Sequence, residues 1–351
     1  VEINFFDTPT VEAGPDQNVC GFDVDLSGSL PGPTGTGTWS AYSLDSNRME
    51  TASYLPNANN ENVSATVPYY GCYRFYWTID YKFCSVMDSV DVCFYEQPIA
   101  NAGVDDTVCS QYYTLNAQPS SGSGMWTSNC PAVFFDNPSD PNSGFLYDGY
   151  GCCEFYWTEI NGNCTDVDTV EICLFETPVA SINTVDYDTC GFTATVVANP
   201  SVGNGTWFSN DPNISFGSPN SPSTTVNASL AGYGTYTVFW TEDNQGCRDT
   251  SSIDIGFYET PNSDAGTNDS ICGLNYQMNA VPSVGVGTWS GPAGIVFNSP
   301  SSPTSGVTAT NYGAFTLTWK EQNGPCIDSS VVTITFFEQP IANAGSAPDF
   351  C

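Results

Sequence analysis

The sequence predicts an all-β chain, a tandem array of two-sheet sandwiches stapled by disulfides, on three observations. First, 351 residues exceed what a single hydrophobic core usually serves. Gly 32, Pro 24 and 14% aromatics argue for many short strands joined by turns. Second, a short signature recurs along the chain. Third, fifteen cysteines occur with no histidine and no Cys-x-x-Cys pair, which disfavours zinc or thioredoxin-type chemistry and favours disulfides made in an oxidising compartment.

The signature is acidic-x-Pro, at Asp7-Thr8-Pro9, Glu96-Gln97-Pro98, Glu176-Thr177-Pro178, Glu259-Thr260-Pro261 and Glu338-Gln339-Pro340, with the prolines 79 to 89 residues apart. A cysteine follows each at eleven or twelve residues: Cys20, Cys109, Cys190, Cys272 and Cys351. Gly-x-Trp then brings Trp39, Trp126, Trp207 and Trp289, and a second tryptophan follows at Trp77, Trp157, Trp240 and Trp319. The period divides the chain into the last strand of a preceding repeat at 1–8, repeats at 9–97, 98–177, 178–260 and 261–339, and the start of a fifth at 340–351. The absence of an opening Met or signal segment from so disulfide-rich a sequence points to a fragment whose N-terminus lies upstream.

Inside a repeat the apolar period is two, as in half-buried strands. Tyr73, Phe75 and Trp77 alternate with Cys72, Arg74 and Tyr76, and the same beat gives Phe155 and Trp157, then Val238 and Trp240, then Leu317 and Trp319. Val90, Val92 and Phe94 form the inward row of the closing strand. About seven such strands in each repeat suit a two-sheet sandwich, with the tryptophans in its core.

Repeats three and four hold two cysteines each, so closure within a repeat pairs Cys190 with Cys247 and Cys272 with Cys326. Carried back, the framework gives Cys20–Cys84 and Cys109–Cys164, loops each contributing about 4 kcal/mol by chain entropy. Cys72 and Cys93 point outward on consecutive strands, as do Cys152 and Cys173, and both pairs are candidates for cross-strand bridges. Cys130 and Cys153 are left as a core pair, although the adjacent Cys152 and Cys153 could exchange roles. Cys351 is left for a partner beyond the sequence.

The ordered recurrence of Asn101-Ala102-Gly103, Gly205-Thr206-Trp207, Gly234-Thr235-Tyr236, Trp240-Thr241-Glu242 and Asn161-Gly162-Asn163-Cys164 resembles the PKD- and immunoglobulin-like repeats of giant cell-surface proteins in Bacteroidota-type bacteria. The resemblance implies immunoglobulin-like (PKD-like) sandwiches in a secreted spacer, adhesin stalk or surface filament. Repeat 1 departs from the pattern by a longer insert around Ser43 to Asn62, and repeat 2 by Cys130 and Cys153.

A net charge of −33 repels nucleic acid and anionic lipid, and no apolar run is long enough to cross a bilayer. Without histidine no Ser/His/Asp or Cys/His constellation exists. Glutamates that could serve as paired carboxylates recur in successive repeats, as at Glu159, Glu242 and Glu321, whereas an active site is not normally copied into every spacer; no enzymatic role is expected. Two chemical features stand out. Oxygen ligands gather near the junctions, with Glu96, Asn101, Asp105 and Asp106 in one group and Glu259, Asp264 and Asp269 in another, as a Ca²⁺ site would need, though a solvated acidic rim is the plainer account. Asp-Ser/Thr-apolar tripeptides place Ser89, Thr107, Thr169 and Ser270 as candidate O-glycosylation sites, on a sequon similar to that of the same bacteria.

The expected role is a structural segment of an extended extracellular filament or adhesin stalk on a bacterial surface. Its partners are copies of itself or neighbouring repeats head to tail, and surface glycans or proteins. Short Pro-containing junctions restrict hinge freedom, and four sandwiches in line should reach about 150 Å. The alternative is an array of carbohydrate- or protein-binding modules, with Tyr69, Tyr70, Tyr73 and Tyr76, or Tyr112, Tyr113, Tyr147 and Tyr150, as the candidate surfaces.

Overall fold

A computed structural model describes residues 10–343 and 345, apart from 33, 47, 82 and 83. The expected strand at 1–8 and Cys351 lie outside the described residues. The described residues form strands and turns, with no helix among them.

Two compact units, Val1–Glu176 and Thr177–Cys351, each contain two sandwiches. In every sandwich the larger hairpin is built from two long strands: Gly71–Tyr81 with Cys84–Tyr95, Gly151–Asn161 with Cys164–Leu174, Gly234–Asn244 with Cys247–Tyr258, and Gly313–Asn323 with Cys326–Phe337. The short opening strand of each repeat pairs in parallel with the closing strand of the same hairpin, as Gln17–Cys20 does with Val92–Tyr95 and Asp269–Cys272 with Ile334–Phe337. A chain that enters and leaves along one sheet edge in this way produces an immunoglobulin-like sandwich whose ends are poised for tandem connection. Repeat 1 carries an added edge strand, Arg48–Glu50, which makes its hairpin sheet five-stranded, whereas the hairpin sheets of the other repeats have four.

Each repeat has its own buried cluster, and all eight tryptophans are buried. The two indoles of a repeat sit directly across from each other, Trp39 with Trp77 through Trp289 with Trp319, with ring centroids 5.0–5.2 Å apart. The Gly-x-Trp spacing follows from this packing. A Cβ on Gly37, Gly124, Gly205 or Gly287 would come within 1.8–2.1 Å of the second tryptophan ring, so the strand position beneath that indole must stay bare. Tyr73, Phe75, Val90, Val92 and Phe94 are likewise buried, which puts the period-two rows on the core face.

Candidate functional site at the repeat junctions

The cysteine framework differs from closure within repeats. Cys20 is bonded to Cys164 and Cys190 to Cys326, so the opening cysteine of one repeat is joined to the hairpin cysteine of the next. These bonds overturn Cys20–Cys84, Cys109–Cys164, Cys190–Cys247 and Cys272–Cys326. Cys84 and Cys272 are free thiols, and Cys109 and Cys247 are disulfide-bonded without their expected partners. The physical reason lies in direction. The opening cysteine stands on an exposed strand end, whereas Cys164 and Cys326 are 1% exposed at the far end of the following hairpin, which folds back onto the junction.

Three further bridges are local. Cys72–Cys93 and Cys152–Cys173 link directly opposed residues of one hairpin, with Cα atoms 4.0 and 3.9 Å apart. Cys130–Cys153 runs into the core of repeat 2, where Cys153 is buried, so Cys152 and Cys153 keep the outward and inward roles that strand alternation gives them.

The two junctions described, one in each unit, share a common set of contacts. The residue opposite the opening cysteine is Tyr95 or Tyr258, whose carbonyl accepts a hydrogen bond from Gly21 or Gly191 at 2.9 Å. The next carbonyl, Glu96 or Glu259, accepts from Asn161 Nδ2 or Asn323 Nδ2 at 2.9 Å. Gly162 and Gly324 follow those asparagines at φ +59° and +57°, as the first central residue of a two-residue hairpin turn. A Cβ there would meet the Tyr95 ring at 2.5 Å or the Tyr258 ring at 2.6 Å. The Asn-Gly-x-Cys motif is therefore a docking tip. Asn reaches the linker carbonyl, Gly lets the turn settle on the tyrosine ring, and Cys closes the covalent bond. Gln97 adds a hydrogen bond from Nε2 to the Thr165 carbonyl at 3.0 Å, which ties the first linker to the hairpin it precedes.

The junctional acids have other work. Asp105 Oδ1 accepts the Glu171 N–H at 2.9 Å, and Asp16 and Asp186 make the same bond to Asp91 and Asp254. These side chains occupy free donors on the closing strand. Asn101 and Asp264 accept from Gly103 and Gly266 two residues on, and Asp269 accepts from the Ser270 N–H and the Tyr276 hydroxyl. Glu96 and Glu259 contribute backbone carbonyls to the junction. Glu259, Asp264 and Asp269 do not converge: among the described residues the only group of three or more Cys, Asp or Glu close enough to share an ion is Cys152, Glu171 and Cys173, whose cysteines are bonded to each other.

Thr107, Thr169 and Ser270 are exposed, and Ser89 is half-buried. Their preceding aspartates serve the fold, since Asp88 and Asp168 accept the N–H groups of Ala13 and Ala102 at 2.9 and 2.8 Å. Among the candidate binding tyrosines, Tyr73 is a core residue and Tyr113 and Tyr147 pack partly against the core, while Tyr69, Tyr70, Tyr112 and Tyr150 are exposed.

The glutamate two residues after the second tryptophan serves a further purpose that the sequence pattern leaves open. Glu159, Glu242 and Glu321 are 1% exposed. Each accepts the indole N–H of Trp157, Trp240 or Trp319 at 2.8–2.9 Å, and the backbone N–H and hydroxyl of Ser120, Ser201 or Ser283. Burial pushes the Glu159 and Glu242 carboxyls up. The bonds from the serine hydroxyl, the indole and the backbone N–H groups outweigh it and hold both below the usual glutamate range. A carboxylate so fully engaged is an internal brace and has no free lone pair facing a substrate. The signal in the sequence is the serine six residues before the first tryptophan of each of these repeats.

No protein-family model matches the chain, and no curated protein matches it. Among solved structures it is similar to titin domains I67–I69, with TM-score 0.40, 11% identity, and coverage of 68% of this chain and 98% of that one. It is also similar to extracellular domains 3–5 of Drosophila OTK, with TM-score 0.35, 9% identity, and coverage of 70% and 94%. Sidekick-1 immunoglobulin domains 1–4 give TM-score 0.31, 12% identity, and coverage of 95% and 98%.

Proposed function

We propose that the chain is a load-bearing segment of an extended extracellular filament or adhesin stalk on a bacterial surface. The disulfides themselves belong to an oxidising, extracellular setting. One observation carries the structural role: the path that tension takes through the covalent framework. A pull on the chain entering before Cys20 crosses the Cys20–Cys164 bond into the closing strand of repeat 2, then passes Cys190 and crosses to Cys326 in the closing strand of repeat 4. The residues between each bonded pair, 144 and 136 apart in sequence, are bypassed. Such a chain transmits force without paying out length, as a tether or filament core requires. The exposed hydroxyls of Thr107, Thr169 and Ser270 are accessible points for glycan attachment on that surface.

Single-molecule extension tests this role. At roughly 3.5 Å per residue, each bypassed segment holds back about 500 Å of chain. The oxidised protein should withhold that length on stretching, and a reducing agent should release it, one sandwich at a time. Equal extension in both conditions would remove the load-bearing role, and electron microscopy showing four clustered domains would remove the stalk.

A second role, as binding modules, is favoured by the stacked pair of exposed rings Phe22 and Tyr70, with centroids 4.1 Å apart, and by its counterpart, the half-buried Phe192 stacked on the exposed Tyr233 at 4.3 Å. Binding to a glycan array that is lost in Tyr70→Ala would promote it.

A further inference from the structure

We infer that Cys272, the Phe337 ring and the Glu338 carbonyl form an open docking site for the Asn-Gly-x-Cys hairpin tip of a further immunoglobulin-like repeat, which it captures as a disulfide. The inference rests on the structural role proposed above and names the partner that this role requires.

Cys272 stands where Cys20 and Cys190 stand. It lies opposite Phe337 in the parallel pairing, as Cys20 lies opposite Tyr95 and Cys190 opposite Tyr258, and Gly273 donates to the Phe337 carbonyl at 2.9 Å as Gly21 and Gly191 do to their tyrosines. Both equivalents are bonded, and Cys272 is an exposed free thiol. A second observation is independent of the thiol. The Tyr95 and Tyr258 rings are half-buried, each lying where a turn glycine settles, whereas Phe337 is 55% exposed. An apolar ring and a thiol thus stand open together, in the arrangement that holds a hairpin tip twice elsewhere.

The occupant is a repeat attached through the linker itself. The octapeptide Glu338-Gln339-Pro340-Ile341-Ala342-Asn343-Ala344-Gly345 is identical to Glu96-Gln97-Pro98-Ile99-Ala100-Asn101-Ala102-Gly103, the segment that leads from repeat 1 into repeat 2. The repeat opened by that segment is the one whose Asn161, Gly162 and Cys164 dock on Glu96, Tyr95 and Cys20. A second copy docking through its Cys84 hairpin fits less well, because Tyr81-Lys82-Phe83-Cys84 offers neither the asparagine nor the glycine.

Bond formation proceeds by exchange with a small-molecule disulfide such as glutathione disulfide. One cysteine thiolate attacks it, forms a mixed disulfide and expels one glutathione thiolate. The second cysteine attacks the protein sulfur of the mixed disulfide and expels the other. Two protein thiols are oxidised and one glutathione disulfide is reduced.

The identical octapeptides allow a seamless test, in which residues 1–345 are continued with residues 104–176, carrying Cys109→Ser in the appended copy. After oxidation in a glutathione buffer, peptide mapping should find Cys272 joined to the appended Cys164. Cys272 still open to alkylation while the appended Cys152–Cys173 pair has formed would overturn the inference, since the added repeat would then be folded but undocked. Phe337→Ala in the same chain should lower the bonded fraction several-fold at fixed redox potential, and an unchanged fraction would remove the ring from the site. The unextended chain should stay monomeric, and dimers joined through Cys84 and Cys272 would replace the linked repeat with a second copy. None of these outcomes depends on the extension measurement, so the docking site and the load-bearing role can fail separately.

Discussion

Repeats 1 and 2 are built on the same paired tryptophans and the same parallel opening strand, yet they solve two local problems differently. In repeat 2, Glu159 braces Trp157 and Ser120. In repeat 1 the corresponding strand position, opposite Gly37, holds Ile79, fully buried, and the Trp77 indole N–H goes to the Ser29 carbonyl at 2.9 Å. The hairpin of repeat 2 ends in Asn-Gly-x-Cys and is covalently docked, whereas that of repeat 1 ends in a free Cys84. The indole needs an acceptor, and either a carboxylate or a carbonyl suffices. The staple needs a specific turn. Sandwich and junction are therefore separable designs within one repeat.

The largest effect expected from this difference lies in the staple. Cys20→Ser with Cys164→Ser removes a constraint spanning 144 residues, about 5 kcal/mol of chain entropy, and calorimetry should show a large loss of stability in Val1–Glu176. Cys84→Ser should change almost nothing, because that thiol is free. A comparable loss from Cys84→Ser would mean that the repeat 1 hairpin is already engaged.

Next in size is the brace. Glu159→Ala leaves the Trp157 indole and two Ser120 donors without their acceptor inside the core and should cost about 3 kcal/mol. The pH dependence has a definite sign. The folded carboxyls of Glu159 and Glu242 lie below the unfolded value of roughly 4.3, so their stabilisation is full above that value and is lost as pH falls through the folded pKa. Hydrogen exchange resolved by repeat should show repeats 2 and 3 loosening in acid ahead of what the Ile79 site in repeat 1 shows. Matching acid profiles at the three sites would mean that the brace is not the titrating element.

How far the sequence discloses these features depends on whether a signal is local. Alternation alone puts Tyr73, Phe75 and Trp77 inward and opposes Cys72 to Cys93, because both follow from strand period and hairpin register. The long-range pairs are hidden. Two cysteines per repeat satisfy parity whether they close within a repeat or onto the neighbour, and only the second pattern leaves Cys84 and Cys272 free. The distinguishing clue is Asn-Gly before Cys164 and Asn before Gly324, residues that dock a turn on the linker in addition to making it. The brace is partly legible: Glu159, Glu242 and Glu321 recur visibly, but their serine partners lie on another segment and the sequence gives no distance between them. The junctional acids resemble ion ligands in composition. Asp105 is instead aimed at a backbone N–H, a direction that composition does not carry.

A smaller effect is expected at the docking turn. Gly162→Ala places a Cβ against the Tyr95 ring at φ +59° and should cost about 2 kcal/mol, with the loss confined to the oxidised protein's junction. The same substitution in a Tyr95→Ala background, where no ring faces the added Cβ, provides the control for backbone strain alone. Equal losses from Gly162→Ala with and without the Tyr95 ring in thermal melts would show that the ring contact adds nothing.

The smallest effect sharpens the comparison on the outer face. In repeat 1 Arg74 sits directly opposite Asp91 and makes two charged hydrogen bonds to it, at 2.7 and 2.8 Å. The Arg74 hydrogen bond holds the Asp91 carboxyl below its usual range. At the same register in repeat 2, Glu154 faces Glu171, so like charges stand opposed. Both side chains of the ion pair are a third or more exposed, at 40% and 33%, so water and salt screen most of the attraction. Arg74→Ala should therefore lower the melting temperature of repeat 1 by about 2 °C or less in dilute buffer, and by less still in high salt. Glu154→Arg should raise that of repeat 2 by a similar amount, with the same salt dependence, because it converts a repelling cross-strand pair into an attracting one. Shifts that persist unchanged in high salt would assign the effect to the packing of the arginine stem across the hairpin, and the two outer faces would then differ in contact rather than in charge.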